Sequence, residues 1–453
     1  MKRTAMNKLL EWKESASRKP LVLRGVRQVG KTWLMKEFGT SCFEELVYVN
    51  LDLEENYRSF FETTKQPSRI VEFLRIATGK RIEPGKSLIV FDEAQECPKA
   101  INSLKYFCEE LPEQHIICAG SLLGVVLAGP ESFPVGKVEF LDILPMTFTE
   151  FLLADGCENL AGYLSTLSSL EPIPNYFTDL LTEKLKIYII TGGMPEVVKV
   201  WTRDHDIARA DKVLRDIIEA YDRDFSKHPS TSQWPKIRMI WQSIPSQLAR
   251  ENKKFLYSVL KTGARAREYE DALQWLNDTG LTQKIYRCKE PHLPVSAYDD
   301  LSAFKIYMAD TGVLRSLSNL DPSVYAKKNE LFSEFKGALT ENYILQCLSS
   351  QFPVACRYWS QTKPAYEVDF IVQRQNQLFP IEVKSGSSVK SRSLQKFQSL
   401  FPDEIPLRIR FSLENLTLND SLLNIPLYLA DQTDRLIEIA LRQLDSRNEP
   451  VQS

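Results

Sequence analysis

The stretch that decides the fold reads Leu21-Val22-Leu23-Arg24-Gly25-Val26-Arg27-Gln28-Val29-Gly30-Lys31-Thr32. After a short apolar run, it matches the pattern G-x-x-x-x-G-K-[ST] in full. In such a loop the backbone N–H groups and the N-terminal end of the following helix attract phosphate oxygens. Lys31 can reach the β- and γ-phosphates of ATP, and Thr32 can ligate Mg²⁺. We therefore predict that these residues form an ATP-binding loop: Gly25, Val26, Arg27, Gln28, Val29, Gly30, Lys31 and Thr32.

A second motif follows about sixty residues later and reads Ser87-Leu88-Ile89-Val90-Phe91-Asp92-Glu93. An apolar run that ends in two carboxylates is typical of a buried parallel strand, which delivers acids to the carboxyl edge of a sheet. This is the Walker B pattern. We expect Asp92 to hold Mg²⁺, directly or through water, and Glu93 to orient the water that attacks the γ-phosphate. The two motifs together predict ATP hydrolysis.

The length of 453 residues is enough for two or three domains, each with its own core. The formal net charge of −2 gives no general attraction to nucleic acid or anionic lipid, so a DNA-binding surface would have to be local. The N-terminal residues are too charged for a secretory signal, and no apolar run approaches the length of a membrane span. We expect a cytoplasmic protein without membrane contact.

The cysteine and histidine patterns exclude several classes of site. Eight cysteines are scattered without a C-x-x-C pair, and the four histidines do not lie at zinc-ligand spacing. Reduced thiols fit this pattern better than a disulfide framework. The motifs H-E-x-x-H and G-x-S-x-G are also absent from the sequence, so metalloprotease and α/β-hydrolase chemistry lack their usual residues.

Residues 1–160 show the alternation of strands and helices that is typical of a parallel sheet. The expected strands are Leu21–Leu23, Leu46–Val49, Leu88–Phe91, Ile116–Cys118 and Val138–Leu141. The fourth of these leads into Ser121, whose hydroxyl would lie beside the γ-phosphate as a polar sensor. A helix N-cap at Ser121 is an equally good interpretation and is compatible with the first.

Residues 161–322 are expected to be mainly helical and to contain a winged helix. Ala266–Asp278 has apolar residues at helical spacing, ends at Gly280 and passes into the strand-like Leu281–Cys288. In DNA-binding proteins such a helix enters the major groove, and Arg265 and Arg267 could contact phosphates. Four acidic residues on the same helix would repel phosphates, so a structural or protein-contacting role is favoured over DNA reading.

Residues 323–453 carry a second constellation. Glu341 lies in a helical stretch, Asp369 leads into an apolar strand, and another strand supplies Glu382-Val383-Lys384. Residues two apart in a strand share a face, so Glu382 and Lys384 point the same way. Asp369 and Glu382 would bind one or two Mg²⁺ ions, Lys384 would help to orient or activate water for phosphodiester hydrolysis, and Glu341 would complete the catalytic set from the same cleft. This is the D…E-x-K pattern of restriction-endonuclease-like folds.

A less specific interpretation of this constellation stays open. Glu-x-Lys occurs by chance in most proteins of this size, and surface charge is its commonest cause. The acid-free series Lys384, Lys390, Arg392 and Lys396 would form a locally positive rim, or equally a solvated basic face.

Several segments carry a resemblance to a known family: Gly25–Thr32, Phe91-Asp92-Glu93-Ala94-Gln95, Ala119-Gly120-Ser121, Leu144-Pro145-Met146-Thr147-Phe148-Thr149-Glu150-Phe151, Thr191-Gly192-Gly193-Met194-Pro195-Glu196 and Phe304-Lys305-Ile306-Tyr307-Met308-Ala309-Asp310-Thr311-Gly312. Over nearly its whole length the chain resembles a large prokaryotic family of AAA-type ATPases whose C-terminal half is a domain of unknown function. The resemblance implies an AAA-like domain, a middle part with a winged helix and a nuclease-like C-terminal domain. Where relatives often have Gly-Arg, this chain has Gly136-Lys137, and lysine lacks the planar fork of an arginine finger.

The predicted fold class is therefore α/β: a P-loop parallel-sheet domain, a helical middle with a winged helix and a restriction-endonuclease-like α/β domain. The predicted function is Mg²⁺-dependent ATP binding and hydrolysis, coupled to a nuclease-like domain that acts on or with DNA or other nucleic acid. The alternative is an ATP-dependent switch or scaffold whose C-terminal domain is catalytically silent and binds a protein partner or a second copy of the chain.

Overall fold

The computed structural model of the chain describes residues 1–120, 134–227, 230–250, 253–323, 336–385 and 391–448. The chain divides into two compact units, one formed by Met1–Leu144 with Gln274–Leu281 and the other by Pro145–Leu273 with Thr282–Ser453. The division into three domains at residues 160 and 322 stays a prediction.

The first unit is a sheet with helices on both faces. Its helices are α1 (Ala5–Glu14), α2 (Lys31–Cys42), α3 (Arg58–Thr63), α4 (Pro67–Thr78) and α5 (Pro98–Glu110). Its strands are β1 (Leu21–Arg24), β2 (Glu45–Asn50), β3 (Ser87–Asp92), β4 (His115–Ala119) and β5 (Glu139–Asp142). The strand order is β2-β3-β4-β1-β5, and every neighbouring pair is parallel. The predicted parallel α/β sheet is confirmed.

Apolar strands hold this sheet between two layers of helices. Every residue of β3 and β4 is buried, as expected for strands covered on both faces. On one face Phe61 of α3 packs edge-on against Phe91 at 5.2 Å between ring centroids. On the other, Trp12 of α1 packs against Phe38 of α2 at 6.4 Å. This packing fixes the carboxyl ends of β1 and β3, where the two sequence motifs lie.

The second unit combines helices with a mixed sheet. Its helices are α6 (Phe148–Ala154), α7 (Glu158–Thr166), α8 (Asn175–Thr191), α9 (Pro195–Asp204), α10 (Ile207–Asp224), α11 (Trp234–Leu248), α12 (Ala266–Asp278, whose last residues belong to the first unit), α13 (Thr311–Leu317), α14 (Lys336–Gln351), α15 (Arg392–Leu400) and α16 (Thr433–Asn448). Its strands are β6 (Thr282–Cys288), β7 (Asp299–Met308), β8 (Arg357–Thr362), β9 (Ala365–Arg374), β10 (Gln377–Val383), β11 (Arg408–Ser412), β12 (Thr417–Asn419) and β13 (Leu422–Pro426). The strand order is β12-β13-β11-β10-β9-β8-β6-β7.

The expected helix and strand at the centre of the chain are both present. The apolar positions of α12 are buried, including Tyr269, Ala272 and Leu276. The strand β6 pairs with β7 and also with β8, so it is part of the eight-stranded sheet. The winged helix stays a prediction, because these pairings describe a sheet rather than a separate wing.

Three of the segments that carry the family resemblance meet inside the second unit. The N–H of Met146 donates to the carbonyl oxygen of Gly193 at 2.7 Å, and the N–H of Gly193 donates to Oδ2 of Asp310 at 2.7 Å. A β-carbon at Gly193 would collide with the backbone of Met146, so glycine is required there. We call Met146, Gly193 and Asp310 the motif junction.

Two further expectations concern the whole chain. All eight cysteines are free thiols, four of them in each unit. Among the described residues, no helix has the length and apolar character needed to cross a membrane.

Candidate functional site

The phosphate-binding loop joins the end of β1 to the start of α2. Gly25 has φ +144°, and a β-carbon there would collide with the carbonyl oxygen of Ile143, so only glycine fits. The N–H of Ile143 donates to the carbonyl oxygen of Arg24 at 2.8 Å, directly before the loop. The loop therefore begins in close contact with the chain that leaves β5.

Lys31 is folded back over this loop. Its Nζ donates to the carbonyl oxygens of Gly25 at 2.6 Å and Val26 at 2.9 Å. The residue is 7% exposed, and burial lowers the pKa of Lys31 to about 8, although the charges of Glu93 and Asp92 oppose the shift. A buried ammonium whose hydrogen bonds go to neutral carbonyl oxygens gains strongly from an anionic ligand.

Thr32 and Asp92 are already joined across the site. The Thr32 hydroxyl donates to Oδ2 of Asp92 at 2.8 Å, and the other carboxylate oxygen accepts from the N–H of Glu93 at 3.0 Å. Asp92 is 2% exposed. A hydroxyl and a carboxylate in contact are the oxygen donors that Mg²⁺ prefers, so this pair fits the predicted metal.

Tyr48 is a member of the site that the sequence analysis missed. Its hydroxyl donates to Oδ2 of Asp92 at 2.6 Å, and Nζ of Lys36 lies 4.1 Å from its ring centroid. Burial, followed by the hydrogen bond to Asp92, raises the pKa of Tyr48, so its hydroxyl keeps its proton. Tyr48 comes close to Asp92 because β2 and β3 pair in a register that sets Asn50 opposite Asp92. The sequence motifs contain no information about this register.

Glu93 leaves β3 in a left-handed conformation, with φ +51°. Its Oε2 accepts a hydrogen bond of 2.6 Å from Nε2 of Gln95. Gln95 lies in the short 3₁₀ turn Ala94–Glu96 that follows. The carboxylate predicted to orient water is therefore held by a side-chain amide two residues away.

Arg3 was also missed from the sequence. Its guanidinium donates to the carbonyl oxygens of Val29 at 3.0 Å and Leu144 at 2.6 Å. These two bonds tie the phosphate-binding loop to the residue that ends the first unit. The signal for such a contact is absent from local sequence, because Arg3 and Leu144 are 141 positions apart.

Ser121 lies outside the described residues. Lys137, at the position where relatives often have arginine, forms a surface ion pair of 3.0 Å with Glu109.

In the second unit, Glu341 of α14 lies inside the protein and is 3% exposed. One carboxylate oxygen is paired with the ammonium of Lys253, and the other accepts a hydrogen bond of 3.1 Å from the Tyr307 hydroxyl. Burial acts to raise the pKa of Glu341, but the charges of Lys253 and Lys305 outweigh it and leave that pKa below its usual value. Both oxygens of Glu341 therefore have partners within the protein.

Asp369 lies on β9 beside the end of β10. Its Oδ2 accepts a hydrogen bond of 2.8 Å from the N–H of Val383, the residue after Glu382. Burial, and then the charge of Glu341, raise the pKa of Asp369 to about 7. The carboxylate thus lies beside the strand that carries Glu-x-Lys, and its role as a metal ligand stays a prediction.

Glu382 is 5% exposed and pairs with the lysine of its own motif. Its Oε1 lies 2.6 Å from Nζ of Lys384. Its Oε2 is buried and has no hydrogen-bond partner among the described residues. A buried carboxylate oxygen without a donor is costly, and a bound cation or water is one way to satisfy it.

The contacts of Glu341, Asp369 and Glu382 decide how well a metal ion would fit the second unit. Among the described residues, no group of three or more His, Cys, Asp or Glu side chains is arranged to hold a metal. Glu341 does not fit, because Lys253 and Tyr307 engage both of its oxygens. Asp369 and Glu382 fit in part, since Oε2 of Glu382 lacks a partner.

The geometry of the first unit defines a class: a P-loop ATPase domain in which the loop, Thr32 and Asp92 meet at one edge of a parallel sheet. Family models match three stretches of the chain: an AAA domain at residues 17–152, a domain of unknown function (DUF8612) at residues 182–324 and a domain of unknown function (DUF4143) at residues 336–429. The N-terminal part is thus an AAA-type ATPase domain, a class that binds and hydrolyses ATP.

Solved structures offer distant likenesses. The Walker-type ATPase PABY2304 of Pyrococcus abyssi is 16% identical with a TM-score of 0.45, over 70% of this chain and 95% of that chain. The Orc1 protein of Aeropyrum pernix, solved in complex with DNA, is 13% identical with a TM-score of 0.29, over 70% and 91%. AMPPCP-bound DnaA from Aquifex aeolicus is 15% identical with a TM-score of 0.23, over 61% and 88%. No curated protein matches the chain.

Proposed function

We propose that this chain binds ATP with Mg²⁺ at Gly25–Thr32 and hydrolyses it, and that the nucleotide state switches the activity of the C-terminal part. The observation that carries the proposal is the direct hydrogen bond of 2.8 Å between Thr32 and Asp92, which joins the two motifs at one sheet edge. Phosphoryl transfer needs positioning and charge more than covalent chemistry, so these few groups are sufficient.

Each residue has a separate task in this proposal. The loop N–H groups and Lys31 bind the β- and γ-phosphates, and Lys31 exchanges its carbonyl partners for phosphate oxygens. Thr32 and Asp92 hold Mg²⁺, which supplies charge to offset that of the phosphates. Glu93 orients the attacking water. Tyr48 keeps Asp92 in place by its hydrogen bond.

Two variants test the ATP site. Lys31→Ala should abolish tight ATP binding, whereas Glu93→Gln should keep ATP binding and slow hydrolysis by orders of magnitude, because it removes the water-orienting charge and leaves the pocket intact. Binding is measured by fluorescence with a labelled nucleotide and turnover by phosphate release. Wild-type turnover in both variants would refute the proposal.

A second candidate function is metal-dependent cleavage of nucleic acid by the second unit. The observation that favours it is the buried Oε2 of Glu382, which has no partner in the described part of the chain, close to the end of β10 where Asp369 accepts a hydrogen bond from Val383. Asp369 and Glu382 would hold the divalent ion, which would polarise the phosphate, and Lys384 would orient water. Glu341 would take no part as a ligand, because Lys253 and Tyr307 occupy its oxygens.

The test combines two assays on one protein. Asp369→Ala should remove Mg²⁺- or Mn²⁺-dependent cleavage of DNA or RNA and leave ATP hydrolysis unchanged. Cleavage that persists in this variant, or that is absent from the wild type under all these conditions, would favour the alternative: a catalytically silent module that binds nucleic acid or a protein partner, including a second copy of the chain.

A further inference from the structure

Gln95 lies where it can influence the water-orienting carboxylate directly. It is two residues after Glu93, in the 3₁₀ turn Ala94–Glu96, and its Nε2 donates to Oε2 of Glu93 at 2.6 Å. The turn is held by backbone bonds from Glu96 N to Glu93 O at 3.1 Å and from Cys97 N to Ala94 O at 3.0 Å. A rigid turn therefore presents the amide to the carboxylate.

The oxygen atom of this amide finds no hydrogen-bond partner in the described part of the chain. Oε1 of Gln95 is buried and accepts no hydrogen bond from the described residues. The assignment of N and O follows from the contact with Glu93, because the opposite orientation would set two oxygens against each other. A buried acceptor left open costs about 1–3 kcal/mol, so a missing donor, such as a water molecule, is expected there.

A water that attacks the γ-phosphate has two protons to place. If one O–H is directed to Glu93, the second needs another acceptor so that an oxygen lone pair faces the phosphorus. The amide oxygen of Gln95 is the candidate for this second acceptor, because the amide nitrogen of the same group contacts the carboxylate and the oxygen has no donor among the described residues.

We propose that Gln95 is a further residue of the hydrolytic site: its Nε2 fixes the carboxylate of Glu93, and its Oε1 accepts a hydrogen bond from the attacking water. The water oxygen forms a bond to the γ-phosphorus, the bond from that phosphorus to the bridging oxygen breaks, and both water protons end on the phosphate product, with ADP as the leaving group. This inference rests on the proposed ATP hydrolysis.

The alternative is that Gln95 only stabilises the turn. A purely structural amide would affect folding and ATP binding as much as turnover. A positioning amide would affect turnover through Glu93 and leave ATP affinity unchanged. The two roles therefore predict different changes in kcat and in the dissociation constant for ATP.

The experiment uses the full chain with Gln95→Met, which keeps the side-chain length and removes both polar atoms, and Gln66→Met at an exposed glutamine of the same unit as the matched control. Loss of a hydrogen bond to a charged group corresponds to about a tenfold to hundredfold fall in kcat. ATP affinity in Gln95→Met should stay within about threefold of wild type, and Gln66→Met should behave as wild type.

A double variant tests whether the effect of Gln95 depends on Glu93. In the Glu93→Gln background, Gln95→Met should lower single-turnover hydrolysis by a clearly smaller factor than in the wild-type background, since the contact to the charged carboxylate is already lost and only the contact to water remains. A kcat within twofold of wild type in Gln95→Met, an equal loss of ATP affinity and kcat, or an undiminished effect in the double variant would overturn the inference. Wild-type turnover in Glu93→Gln alone would instead remove the proposed function on which it rests.

Discussion

Lys253→Met tests the buried ion pair of the second unit. The side chains of Lys253 and Glu341 are 15% and 5% exposed, and the second oxygen of Glu341 accepts a hydrogen bond from the neutral Tyr307 hydroxyl. Methionine keeps most of the side-chain volume and removes the charge. The carboxylate of Glu341 would then be left buried near Asp369, whose own charge adds repulsion.

The magnitude follows from the burial of this pair. Removal of one partner from a buried ion pair costs about 3–5 kcal/mol, because the remaining charge loses its compensation. At roughly 2 °C per kcal/mol for a unit of this size, the Tm should fall by about 6–10 °C near pH 7. Calorimetry of the full chain measures it. Lys363→Met, at an exposed lysine of the same unit, is the control and should change the Tm by less than 1 °C or so.

The second variant of this experiment is Lys253→Met combined with Glu341→Gln. Neutralising the stranded carboxylate should recover at least half of the lost stability, because the amide keeps a hydrogen bond with Tyr307. If the Tm of the single variant decreases by less than about 2 °C, or if the double variant recovers no stability, then Glu341 is not held as an ion by Lys253.

Three further predictions concern other regions. Arg3→Ala should weaken ATP binding about tenfold, because the loop loses its tie to the end of the unit, while the neighbouring Lys2→Ala should not; equal dissociation constants would contradict this. Burial lowers the pKa of His115 from 6.5 to about 4. The free energy of unfolding should therefore fall by at most about 3 kcal/mol as the pH drops from about 6.5 toward 4. His115→Asn should flatten that profile of Tm against pH. Replacing Arg265 and Arg267 with Ala should change DNA affinity by less than the roughly tenfold expected for two phosphate contacts, as measured by anisotropy; a larger loss with a shallower salt slope would contradict it.

The parts of the ATP site that the sequence predicted are local in the chain. Gly25 to Gly30 connect β1 to α2, whose first residues are Lys31 and Thr32, and Glu93 directly follows Asp92 at the end of β3, so a short pattern contains their geometry. Apolar runs also located all five strands of the first sheet, most clearly β3 and β4, because a strand buried on both faces is a continuous apolar run. The roles of these residues stay predictions until the variants are measured.

The residues that were missed depend on contacts between distant positions. Tyr48 lies 44 positions from Asp92, and Lys253 lies 88 positions from Glu341. Neither pair follows from spacing or propensity, because strand register and helix packing bring them together. The same holds for β6, whose local pattern was predicted correctly but whose partners β7 and β8 were not.

The motif junction has a consequence for how signatures of this kind are interpreted. Met146, Gly193 and Asp310 come from three separate segments that carry the family resemblance. Their polar atoms form hydrogen bonds with one another. Asp310 is 2% exposed, and its carboxylate also accepts from the N–H of Val313 at 3.0 Å. A Gly-Gly or Asp-Thr-Gly string can thus specify a close packing contact inside the fold, where a single added methyl group is excluded.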